Sequence, residues 1–145
     1  MEWKEKIRHW CARGERSTFE IKTKLIRLGA SPQEVIEFLV ELEREGFINE
    51  ERYVNAFIHD HFKLKNWGPR KLYHGLKKKG CASHLIEQAL SKLTPEDLDN
   101  ALNQTIETRY TLYPEEHKTH LERLIRYLQN RGYTLDNILA ALSRL

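Results

Sequence analysis

The sequence has 145 residues, 40% of them hydrophobic, which suffices for one domain or a short row of small repeats without a metal or disulfide staple. With 31% charged residues and only 7 glycines and 4 prolines, it reads as a polar, helical and thin body rather than a thick core with many tight turns. A formal net charge of +3 is too mild to identify a polyanionic partner, and no apolar run approaches the roughly 20 residues of a membrane helix.

The chain opens on a helical pattern carrying Trp3 and Ile7. A shorter pattern, Ile21 and Leu25, ends at Gly29, where a glycine can take the left-handed C-cap conformation without Cβ strain. Ser31 is predicted to cap the next helix, with Pro32 at its first position and Val35, Phe38, Leu39 and Leu42 on its buried face. Asn49 is predicted to cap a fourth helix, with Glu50 and Glu51 in its first turn and Val54 and Ile58 inside. "NWGPRKL" breaks a helix at Gly68 and restarts one at Pro69, which carries Leu72 and Leu76 to Gly80. Ser83 is predicted to cap the helix of Ile86 and Leu90. Thr94, Pro95 and Asp97 resemble a capping box for the helix of Ile106 and Tyr110, which Pro114 ends. Leu124 and Leu128 lead to Gly132, and Thr134 caps the last helix, with Ile138 and Leu142.

These elements repeat. Gly29, Gly80 and Gly132 are 51 and 52 residues apart, and each has an apolar residue four and eight positions before it and six and ten after it. Such spacings place one residue per turn on one helical face. The expected fold class is all-α: three tandem three-helix repeats in an elongated, curved arrangement, with units at 1–46, 47–94 and 95–145 and nine helices in all. No stretch alternates like a strand.

Catalytic chemistry is not legible. His59 and His61 are two apart and cannot chelate from one helical face, and no third ligand accompanies His117 and His120. Cys81 follows a lysine run that would lower its pKa, but the same column holds Ala30 and Tyr133, which points to packing. No phosphate-binding glycine loop, zinc-protease or nucleophile-elbow motif occurs. The expectation is a protein that is not an enzyme and has no cofactor or metal. The charged N-terminus MEWKEKIRHW is not a signal peptide, and two cysteines outside any CxxC motif suit a reducing cytoplasm.

Charge is segregated. Seven acids and one base lie between Gln33 and Glu51, whereas His61 to Ile86 holds no acid. That second stretch carries Lys63, Lys65, Arg70, Lys71, Lys77, Lys78 and Lys79, interleaved with Trp67 and Tyr73, and a milder bias returns at Arg123, Arg126 and Arg131. A helix C-terminus accounts for Lys77, Lys78 and Lys79 through its dipole. It does not account for Arg70 and Lys71, which sit at a helix N-terminus. These ten residues are the candidate contacts to phosphates or to an acidic protein face.

The order of short motifs resembles the RecX regulatory proteins of bacteria. Ser17, Glu20, Ile21, Lys24, Leu25 and Gly29 match a first repeat. "GFINEERY" from Gly46 to Tyr53, then Gly68-Pro69-Arg70, Leu72, Leu76, Lys79 and Gly80, match a second. Leu128, Arg131 and Gly132 match a last "L..RG". Gly14 stands where the family usually has arginine, with Arg13 and Arg16 beside it. The resemblance implies three helical repeats, binding to the RecA recombinase filament, and modulation, usually inhibition, of its ATPase, strand-exchange and coprotease activities in recombination, repair and the SOS response. It also implies DNA binding and no cofactor; a monomer without a membrane partner is expected. A helical nucleic-acid-binding protein without a recombinase partner is the alternative that the residues leave open. An acidic helix around Glu34 to Glu45, with no task in pure DNA binding, leans towards the first.

Overall fold

A computed structural model describes residues 2–145. The described chain is all helical: α1 (Glu2–Ala12), α2 (Thr18–Arg27), α3 (Pro32–Arg44), α4 (Glu50–Ile58), α5 (Pro69–Lys78), α6 (Ser83–Leu90), α7 (Pro95–Leu112), α8 (Glu116–Thr119), α9 (Leu121–Asn130) and α10 (Leu135–Ser143). That is one helix more than the repeat predicts. Pro114 does end α7, but the chain makes the extra turn α8 before α9 begins. A π-helical turn, His59–Lys63, continues α4.

The glycine columns have a common physical cause. Gly29, Gly80 and Gly132 have φ of +95°, +79° and +105°. The next residue donates its N–H back to the leucine four before the glycine: Ala30 to Leu25 at 3.0 Å, Cys81 to Leu76 at 3.2 Å and Tyr133 to Leu128 at 3.3 Å. Each is the helix-ending loop in which a left-handed residue returns the chain onto the last turn and satisfies an orphan carbonyl. Gly46 (φ +83°) makes a fourth, with Phe47 donating to Leu42 at 2.9 Å. The leucines of this column, Leu25, Leu76 and Leu128, are 0% exposed.

Helix starts follow the caps with one exception. Ser31, Asn49, Thr94 and Thr134 accept backbone N–H groups as predicted, and Ser17 adds a full capping box with Glu20. Ser83 does not cap α6. It is the first helical residue, after Ala82, and its hydroxyl is engaged by Tyr73 Oη at 3.1 Å and Lys77 Nζ at 3.0 Å. Tyr110 is 50% exposed, because the end of α7 runs past the core and its ring meets His117 edge-on.

Two cores form. Ile7, Ile21, Leu25, Val35, Phe38 and Leu42 build one among α1–α3, with Leu39 only half-buried at its margin. The other runs unbroken from Val54, Leu72 and Leu76 to Leu102, Leu124, Leu128 and Ile138, joining α4–α6 to α7–α10. The surface is 9276 Å², against roughly 7,800 Å² for a compact protein of 17.3 kDa, a surplus that fits units set in a row. Among the described residues, no helix is long and apolar enough to cross a membrane.

The extra helix α8 anchors a buried ion pair. Arg109 donates to both carboxylate oxygens of Glu116, at 2.8 and 2.9 Å, and its guanidinium lies 4.1 and 4.2 Å from the ring centroids of Tyr113 and Tyr127. Glu116 is 5% exposed, and the hydrogen bonds from Arg109 hold its carboxyl below its usual value. Glu116→Gln leaves Arg109 without its counter-charge and is expected to destabilise the chain by about 3 kcal/mol at pH 7. Because the folded-state pKa is lowered, this contribution is present above about pH 5 and disappears as pH falls through the folded value. Urea unfolding of both chains between pH 7 and pH 3 checks this: the gap in stability should close on the acid side.

Candidate functional site

The basic stretch of the second unit meets the third unit backbone to backbone. Gly68 N–H donates to Arg131 O at 2.6 Å, and Arg70 N–H donates to Gly132 O at 3.0 Å. Gly68 is the N-cap of α5 and has no side chain to cap it. The Gly132 carbonyl takes that place and satisfies an orphan N–H of the first turn. The approach is too close for side chains. A Cβ on Gly68 would fall 2.5 Å from Gly132 C and O, and one on Gly132 would fall 2.6 Å from Lys71 Cβ. Tyr133 closes the junction, donating its hydroxyl to Asn66 O at 2.7 Å; burial pushes that hydroxyl up to about 12.

This junction gathers cations. Arg131 reaches across the units and donates Nη2 to the carbonyl of Lys65, while its Nε is buried with no hydrogen-bond partner among the described residues. The Lys71 ammonium lies 4.3 Å from the ring centroid of Trp67, in the loop just before α5. Burial, then the charges of Arg131 and Lys65, lower the Lys71 pKa. Crowding of like charges without an acid is unfavourable unless an anion joins them. Beside them lies a cleft of about 470 Å³, lined by Arg70, Lys71, His74, Gln129, Asn130, Gly132, Tyr133 and Leu135. A phosphate or carboxylate in this cleft would meet two full charges and three neutral donors.

Of the ten candidate residues, the structure brings together Lys65, Arg70, Lys71 and Arg131 and disperses the rest. Lys63 is exposed at the end of the π-helical turn, and its charge adds to the Thr94 hydrogen bonds that hold Asp97 low. Lys77 donates to Ser83, Lys79 sits 3.7 Å from Glu20 of the first unit, and Lys78 is exposed at the far end of α5. Arg123 lines a separate cleft with Arg109 and Glu116, and Arg126 is exposed on α9. His74, Gln129, Asn130 and Tyr133 were not legible as site residues. Their only sequence signal is the repeat itself, which sets Gln129 and Asn130 in the columns of Lys77 and Lys78.

Three other features singled out in the sequence serve the fold, Cys81 in the packing role that its repeat column points to. Cys81 is 2% exposed, and burial outweighs the neighbouring Lys77, pushing its thiol up to about 11, so it packs rather than reacts. His61 is a packing group: its ring stacks on Phe57 at 4.0 Å and its Nδ1 lies 2.8 Å from Phe57 O. The acidic helix α3 is not free of internal tasks. Glu41 meets Lys4 at 3.2 Å and Arg8 at 3.1 Å, and Glu45 meets Arg8 at 3.1 Å, which binds α3 to α1.

Known proteins resemble the chain throughout. Residues 49–90, α4 through α6 and so one side of the junction, match the family model for the second three-helix domain of RecX. The regulatory protein RecX of Halorhodospira halophila is 28% identical over 90% of this chain and 80% of its own. Those of Streptococcus gordonii (26% identical, 90% of this chain) and Clostridium tetani (30%, 78% of this chain) extend well beyond it: the chain spans about half of their length. A crystal structure of RecX from Lactobacillus salivarius superposes with a TM-score of 0.82 over 98% of this chain and 93% of that one, at 19% identity, and so shows the same fold. With the second domain's model on α4–α6, relatives aligned across nine-tenths of the chain and the fold reproduced from end to end, the chain is similar throughout to the RecX regulatory proteins.

Proposed function

We propose that this chain is a non-catalytic regulator that binds the RecA recombinase filament in the cytoplasm and modulates, in the inhibitory direction, its ATPase, strand-exchange and coprotease activities. The reading follows from this similarity, since the relatives are named as regulatory proteins. The observation that carries it within this chain is the acid-free cluster of Lys65, Arg70, Lys71 and Arg131 on a junction built by two glycines. The cleft beside it receives phosphates of filament-bound DNA. A regulator shifts a filament between states only by binding one of them more tightly, so contacts to DNA held in the filament's geometry supply the required difference.

A second reading is a helical nucleic-acid-binding protein without a recombinase partner. It gains from the pairing of Glu41 and Glu45 with Lys4 and Arg8, which gives the acidic helix a task inside the molecule. Co-sedimentation separates the two. The filament reading predicts that the chain pellets with recombinase filaments on single-stranded DNA at concentrations where bare DNA of equal length retains little of it. Equal retention on bare DNA supports the second reading.

A further inference from the structure

The first and second units meet along a groove that occupies, in the repeat, the place of the cleft between the second and third. Advancing 51 residues carries Phe19, Glu20 and Thr23 onto Arg70, Lys71 and His74, and advancing 52 carries Lys79 onto Arg131. In both places a cation at the end of one unit's second helix reaches back to the unit before it: Lys79 to the Glu20 carboxylate at 3.7 Å, Arg131 to the Lys65 carbonyl. The linings differ in kind. Where the later cleft has Arg70, the earlier groove, of about 270 Å³, has the ring of Phe19, 52% exposed and beside Trp10. Lys24 Nζ and the Arg16 guanidinium carbon lie 4.5 and 4.4 Å from the Trp10 ring centroid, and Arg27 also lines the groove. The one acid, Glu20, is engaged, accepting the Ser17 N–H at 3.1 Å and facing Lys79. Among the described residues, no ion pair neutralises Arg16, Lys24 or Arg27.

We infer that this groove binds an extended peptide segment of a partner protein, seating one apolar side chain against Phe19 and Trp10 and directing carboxylates to Lys24 and Arg27. An aromatic ring left half in water is stabilised by an apolar side chain and gains nothing from a phosphate. The Glu20 carboxylate in the wall repels a sugar–phosphate backbone running along the groove, whereas a peptide sets its acids only where cations stand. The repeat thus supplies two clefts of one origin and opposite taste: the later one for phosphate, the earlier one for protein. This inference does not depend on the phosphate reading of the later cleft.

The test uses the full chain and a fluorescein-labelled peptide of about ten residues, Asp and Glu around one central Leu, read by anisotropy. Saturable binding below about 1 mM is expected, weakened about tenfold by Phe19→Ala and, separately, by Lys24→Gln with Arg27→Gln. Arg70→Gln with Lys71→Gln should leave it unchanged, and replacing the central Leu by Ser should weaken it as Phe19→Ala does. Phe19 is on the surface, so its variant keeps the fold, which circular dichroism verifies. No saturable binding, or loss that follows Arg70 and Lys71 instead, overturns the inference. Displacement of the peptide by an oligodeoxynucleotide whose own binding falls with Phe19→Ala also overturns it and assigns the groove to nucleic acid.

Discussion

Gly132→Ala is expected to destabilise the chain by about 4 kcal/mol, a large part of the 5–15 kcal/mol that a domain of this size holds. Two costs add. Gly132 has φ +105°, which a side chain occupies at a penalty of about 1–2 kcal/mol. Its Cβ would also stand 2.6 Å from Lys71 Cβ and 2.7 Å from Lys71 N and Gly68 O, where backbone atoms must move, at a further 1–3 kcal/mol or so. The repeat provides the controls. Gly29 has φ +95° but nothing within 4 Å of an added Cβ, so Gly29→Ala should show only the conformational part. Gly68 is the converse, with φ −77° and a Cβ 2.5 Å from Gly132, so Gly68→Ala should show the steric part alone. Urea unfolding of the three variants checks the order: Gly132 largest, the other two smaller. Equal losses at Gly29 and Gly132 would mean that the junction yields freely.

Replacing Lys63, Lys65, Arg70 and Lys71 together by glutamine is expected to weaken binding to DNA or to recombinase filaments by about 100-fold near 0.1 M salt and to flatten its salt dependence. Each phosphate contact adds about 0.7 to 0.9 to the slope of log affinity against log salt, so losing the three clustered cations Lys65, Arg70 and Lys71 flattens the slope by about 2 to 3, with dispersed Lys63 adding little. Among the described residues these cations make no ion pair: Lys63, Lys65 and Arg70 are exposed, and the Lys71 ammonium lies over the Trp67 ring. Thermal unfolding should therefore shift by only a few degrees. The same four replacements on Lys77, Lys78, Arg123 and Arg126 should leave the slope closer to that of the parent chain, because those residues are dispersed. Binding isotherms at two salt concentrations decide it, and an unchanged slope in the first variant counts against the cleft.

The helices were legible because their signals are local. A leucine four residues before a glycine, and a serine or threonine two after it, are consequences of helix ends that need no partner elsewhere in the chain. The extra turn α8 was not, because Glu116 is held there by Arg109 from the preceding helix and by no local pattern. Ser83 misled for a related reason: its hydroxyl answers to Tyr73 and Lys77 on the helix before it. At the site, Arg70 and Lys71 drew attention because they stand against the helix dipole. What the sequence concealed is the contact that explains them. Gly68 reads as a helix break and Gly132 as a helix end, and only in three dimensions do they prove to be two halves of one joint, with Gly132 O as the cap of α5. The charge tally likewise overstated α3, since Glu41 and Glu45 face Lys4 and Arg8 across a helix pair that residue spacing does not reveal.

The most direct measurement is the DNA-stimulated ATPase of the cognate recombinase at increasing amounts of this chain. The regulator reading predicts that hydrolysis slows at substoichiometric to equimolar amounts, and that the variant lacking the four cations Lys63, Lys65, Arg70 and Lys71 requires far more protein for the same effect. An unchanged rate at a large molar excess of the folded parent chain would contradict it.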